Sequence, residues 1–149
     1  MKRLAGALAI AAVAVIGVGC GSEEQNDYVE QVNQLQTELV DEVTAAVSGA
    51  VPTNQQDAAE IAAELEQVFA DGAEQFEAVS PPEEVADLHE QLVKQIDGIA
   101  EQVGAAEEAF TSGSAEEASQ AALALQEASN RIQTDLTGLI DQINSELQN

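Results

Sequence analysis

The sequence predicts an all-α fold: an up-down-up-down antiparallel four-helix bundle after an N-terminal signal peptide. Three observations carry that expectation. Beyond a leading apolar stretch, the large apolar side chains recur at steps of three and four, which places each set on one helix face. No useful length alternates with period two, so no strands are expected. Short runs carrying helix start and stop chemistry separate the periodic segments. High charge with only 3% aromatic residues would by itself raise the question of disorder, but apolar residues of a disordered chain would be scattered, and these are not.

The chain opens with Met1-Lys2-Arg3, and two positive charges at an N-terminus favour the cytoplasmic side of a membrane. Leu4 to Val18 then carries no charge and is almost wholly Ala, Leu, Ile, Val and Gly. An apolar run of about 15 residues has the length of a signal-peptide h-region; a spanning helix needs about 20.

The first helix is expected over Glu23 to Val47, with Tyr28, Val32, Leu35, Leu39, Val43 and Val47 on its apolar face. The second, Asn54 to Val79, presents Ala58, Ile61, Leu65, Val68, Phe69, Phe76 and Val79. The third, Pro81 to Phe110, presents Val85, Leu88, Leu92, Ile96, Ile99, Val103, Ala106 and Phe110. The fourth, Ala115 to Leu147, presents Ala118, Ala122, Leu125, Ile132, Leu136, Leu139, Ile143 and Leu147. Ser80-Pro81-Pro82-Glu83 reads as a helix start, with Ser80 as cap, Pro81 in the first helical position and Glu83 completing a capping box. Thr53 to Gln56 and Ser114 to Glu117 offer the same spacing. Gly49 and Gly113 fall just past helix ends, where positive φ is favoured, and Pro52 stops the first helix. Connections of roughly four to six residues join antiparallel neighbours. The Ala-rich start of the fourth helix faces Ala105, Ala106 and Ala109, so the half of the bundle far from the leader should bury less area and hold less tightly.

The leader ends in Ile16-Gly17-Val18-Gly19-Cys20-Gly21-Ser22. This resembles the lipobox of bacterial lipoproteins, with Gly19 in the small position before the cysteine and Gly17 where leucine is usual. The resemblance implies cleavage before Cys20 and diacylation of its thiol. It divides the chain into a signal peptide at 1–19, a lipidated Cys and short tether at 20–26, and an acidic helical bundle at 27–149. Cys20 is the sole cysteine, so no disulfide can form within the chain, and lipid attachment accounts for an unpaired thiol in an exported protein. The stretch Val79-Ser80-Pro81-Pro82-Glu83-Glu84-Val85-Ala86-Asp87-Leu88-His89 is also similar to uncharacterised helical envelope lipoproteins of actinobacteria, a likeness that implies location and fold but no activity.

Charge narrows the partners. All 28 acidic residues lie beyond Cys20 against two bases, Lys94 and Arg131, which leaves the mature part at −26. Such a surface repels nucleic acid and anionic lipid head groups. The expected contact with the membrane is therefore through the lipid on Cys20, on the outer face of the cell membrane, and a cationic or envelope-protein partner is favoured. Mutual repulsion of the acids is expected to favour stability in salt and in mild acid.

Chemistry-bearing patterns are sparse. A carboxylate-bridged di-iron bundle needs Glu-x-x-His on two helices; position 86 is Ala and His89 is the only histidine. His89 flanks the apolar stripe and is expected to hydrogen-bond at its edge. There is no second cysteine for a thiolate metal site and no Gly-rich phosphate loop. Glu60, Glu64 and Glu66, like Glu116 and Glu117, read as solvated helix surface and not as the paired acids of a glycosidase. No catalytic residue, metal ligand or cofactor is expected. The function expected is that of a non-enzymatic binding or scaffold module; the alternative is an extracytoplasmic ligand or cation sensor using the bundle core or the acidic face.

Overall fold

A computed structural model describes residues 23–48 and 52–147, the side chains of 127–133 excepted. It consists of α1 (Glu23–Val47), α2 (Gln55–Glu77), α3 (Ala86–Ser112) and α4 (Ala115–Glu146), with a 3-10 turn at Glu83–Val85 leading into α3. There is no strand among the described residues, and the all-α reading holds. The expected signal peptide, Cys20 and Gly49 lie outside the described residues.

The packing follows chain order. The closest seam joins α2 to α3; α4 packs on α3 and α1 on α2. Tyr28, early in α1, bonds to His89, early in α3, so these two helices run in the same direction. The Gly113-Ser114 link reverses the chain between α3 and α4. One apolar cluster runs through all four helices, from Tyr28 and Val32 on α1 to Leu139 and Ile143 on α4 and Leu147 just past its end. Its largest fully buried side chains, Tyr28, Phe76, Val85, Leu92, Ile96 and Ile143, gather toward the end that holds the starts of α1 and α3. Toward the opposite end the buried residues shrink to Ala46, Ala59, Ala62, Ala106 and Ala118, as the alanine distribution leads one to expect.

Three local readings are corrected. The third helix does not start at Pro81. Ser80 to Pro82 carry no helical structure, and Pro82 sits at φ −56°, ψ 151° with no side-chain cap. A residue before proline avoids the α region, so Pro82 keeps Pro81 extended and defers the helix past both prolines. The cap of α2 is Asn54, one residue later than the Thr53 spacing indicates: its side chain accepts from the Asp57 N–H at 3.0 Å. Thr53 contributes from outside, donating its backbone N–H to the Asp57 carboxylate at 2.9 Å. Gly113 is extended, at φ −80° and ψ 164°, and not left-handed. Glycine suits this position because of close approach: a Cβ there would lie 2.3 Å from the Ala109 carbonyl oxygen, which accepts the Gly113 N–H at 3.1 Å. The capping box at the start of α4 is formed as expected, with Ser114 Oγ accepting from the Glu117 N–H and the Glu117 carboxylate accepting from the Ser114 N–H.

The apolar stripe of α2 is also rotated from the expected one. Its buried residues are Ala59, Ala62, Phe69, Gly72, Ala73 and Phe76, while Ile61, Leu65 and Val68 are half-buried at the margin. Small residues on the inner face let the neighbouring helices come close. At Gly72 a Cβ would meet Leu39 Cδ1 at 2.9 Å, so the Leu39 side chain of α1 seats directly on the backbone of α2. On α4 the expected Ala122 is exposed and Leu123 stands 66% exposed beside it.

Candidate functional site

The described part of the chain concentrates its unusual chemistry in one place, between the first turns of α1 and α3. Tyr28 is the first buried residue of α1. His89 lies on the phase of Val85, Leu92, Ile96 and Ile99, all buried; the expectation that it edges the stripe is corrected, since it occupies the stripe and Leu88 is the half-buried neighbour. Tyr28 Oη and His89 Nδ1 are 3.0 Å apart, and the two rings meet edge to face with centroids 5.7 Å apart. The other ring nitrogen, Nε2, is buried without a hydrogen-bond partner.

The surroundings set the proton positions. The polar group that favours a proton on the ring is the backbone of Phe76 on α2, whose carbonyl also accepts the Val79 N–H at 3.0 Å. Tyr28 Oη and His89 Nδ1 share one hydrogen bond, and the tautomer of the ring sets which of them donates. Burial disfavours the charged form of each partner. It pulls the His89 pKa below its ordinary value, against the smaller opposing effect of the Phe76 carbonyl, and pushes the Tyr28 hydroxyl up to about 12. Both shifts favour the neutral form of each partner.

Elsewhere the surface is acidic and open. Glu60, Glu64, Glu116 and Glu117 are exposed. Glu66 is half-buried and lies against Gly104 of α3. Among the described residues no three His, Cys, Asp or Glu side chains converge as a ligand set for a metal ion. Lys94 pairs with Glu90 one turn earlier on α3, an exposed contact that lowers the Glu90 pKa through its hydrogen bond and charge. The Tyr28–His89 contact had a signal in the sequence: the chain holds one tyrosine and one histidine, both at core-compatible phase near the starts of two parallel helices. What the spacing cannot supply is the rotation of each helix that turns the two side chains toward one another.

A family model covers residues 22–146, and with them all four helices. The chain belongs to the DUF6376 family, a family of unknown function. No curated protein and no solved structure matches it. The DUF6376 region thus coincides with the helical bundle, and the Tyr28–His89 pair falls within it.

Proposed function

We propose that the chain is a lipid-anchored, non-enzymatic binding or scaffold module held on the outer face of the cell membrane through Cys20. The observation that carries this reading is the position of the sole cysteine at the end of a charge-free apolar run, immediately ahead of an acidic bundle. The described part of the bundle has no helix long and apolar enough to cross a membrane, so in this reading its attachment comes from the lipid. With α1 starting at Glu23, the tether from Cys20 is short and the end bearing Tyr28 and His89 lies nearest the bilayer. Contacts with other molecules are assigned to the outer faces, because large side chains from all four helices meet in the core. A net charge of −24 for the whole chain favours a cationic partner surface and disfavours nucleic acid.

The test is metabolic labelling with a fatty acid in cells expressing the wild type or Cys20→Ala. Label and membrane retention are expected for the wild type alone. Equal labelling of the two proteins would remove the anchor from this reading, and capture experiments with the lipidated protein would then have no basis.

A further inference from the structure

We propose that the Tyr28–His89 pair is a pH-sensitive latch that fastens the first turns of α1 to α3 while His89 is neutral and releases them when it is protonated. The argument rests first on connectivity. Helix α1 makes its close seam with α2, and the Tyr28–His89 hydrogen bond is a direct tie from α1 to α3. Nothing in α1 ahead of Tyr28 is buried, so this residue is the first core contact of the helix.

The second step is what a proton does there. Both members are almost wholly buried, at 1% and 5% exposure. A protonated ring carries hydrogen on both nitrogens, so Nδ1 can no longer accept from the Tyr28 hydroxyl. Tyr28 Oη can still accept from the ring, but a positive charge at a position only 5% exposed is unfavourable. Neighbouring carboxylates do not offset it: the ring's environment holds no charge contribution, and Asp27 on α1, Glu77 on α2, Glu83 and Glu84 on the 3-10 turn, Asp87 and Glu90 on α3, and Glu146 on α4 are exposed. The polar contributions to the ring's environment are the Tyr28 hydroxyl and the Phe76 carbonyl. Moving Tyr28 outward relieves this penalty. It wets the imidazolium, and the cost falls on α1, whose close seam is with α2 alone.

A single histidine makes the latch directly observable. The full chain in nonionic detergent at fixed ionic strength would be followed by ring NMR titration of His89 and by backbone amide exchange, corrected for the intrinsic effect of pH. Between about pH 7.5 and about pH 5, amides of α1 from Tyr28 to Leu35 are expected to lose about tenfold in protection relative to those of α3, as local opening of a single element would give. The midpoint should coincide with the ring titration. In His89→Gln, whose side chain keeps hydrogen-bonding capacity without a charge change in this range, the pH dependence should vanish. Tyr28→Phe should expose α1 already at the higher pH. Unchanged relative protection in the wild type overturns the latch, and so does a His89→Gln variant that loses protection as the wild type does. If that variant does not fold, the wild type decides alone: separate midpoints for ring and amides overturn the proposal, and coincident ones uphold it.

Discussion

Leu92 and Gln91 are neighbours in sequence with opposite surroundings. Leu92 is 1% exposed in the centre of the core, while Gln91 faces water and donates its side-chain N–H to the Asp87 carbonyl one turn back at 3.1 Å. Leu92→Asp would place an unpaired charge among Tyr28, Ile96 and their neighbours in the apolar cluster. A buried charge costs several kcal/mol, roughly the stability of a small domain. It is expected to unfold the bundle at room temperature, whereas Gln91→Asp should shift the melting midpoint by a degree or two at most; circular dichroism melts of the two variants check this. The phase of Leu92 was plain from the sequence because its neighbours four residues away are Leu88 and Ile96. That of His89 was not, because an imidazole suits either an edge or a core equally, and only the hydroxyl of Tyr28 arriving from another helix makes the core position tolerable.

At the scale of the element, helix bodies were more legible than helix ends. The expected stripes of α1 and α3 are buried at Tyr28, Val32, Leu39, Val43, Leu92, Ile96, Ile99 and Val103, with Leu35, Val47 and Leu88 half-buried beside them, since burial of large side chains dominates their orientation. On α2 the stripe was misplaced by about one residue because the buried positions are alanine and glycine, whose value lies in allowing Leu39 to approach Gly72, a property of the partner helix. The prolines at 81 and 82 were recognised as punctuation, but each restrains the residue before it and together they postpone the helix. Where cap chemistry lacks such a competitor it is realised: Ser114 and Glu117 satisfy each other's backbone donors. Ser114→Ala is expected to cost about 1 kcal/mol and to lower the melting temperature by a few degrees, read by calorimetry. The loss should be felt mainly in the alanine-rich half, where Ala118 is the buried residue nearest the cap.

For the molecule as a whole, charge and the buried pair act on stability with different signs. The carboxylates whose pKa values are clearly displaced, Asp57, Glu90 and Glu117, all move downward, under hydrogen bonds from Thr53, Lys94 and Ser114 respectively. Their stabilisation is present above the ordinary carboxylate range and is lost as pH falls through it. His89 also lies below its ordinary 6.5, so the unfolded chain takes up that proton first and stability declines as pH drops from about there. Tyr28, raised from 10.0 to about 12, keeps its proton longer when folded, so its contribution is whole below 10 and fades as pH rises beyond. The contribution of these groups runs against the expected gain of stability in mild acid, and melts at two pH values decide between the two. Salt still favours the fold, because screening a net charge of −24 relieves repulsion without touching buried groups. Melting temperature should rise with NaCl at pH 7.5 and fall from pH 7.5 to 5.5 at constant salt. A rise on acidification would mean that diffuse repulsion outweighs the cost of charging His89.

The seams between helices join chain neighbours, α1 to α2, α2 to α3 and α3 to α4. Each helix therefore meets its main partner across a single short loop, and the sequence separation of native contacts, the contact order, stays small. Chains of this kind collapse quickly, since little loop-closure entropy precedes the reward of packing. A segment emerging N-terminus first can pair as it appears, α1 with α2 and then α2 with α3, without waiting for the last residues. The alanine-rich stretch of α4 joins a partner that is already in place, which is how so modest an apolar surface suffices to dock it.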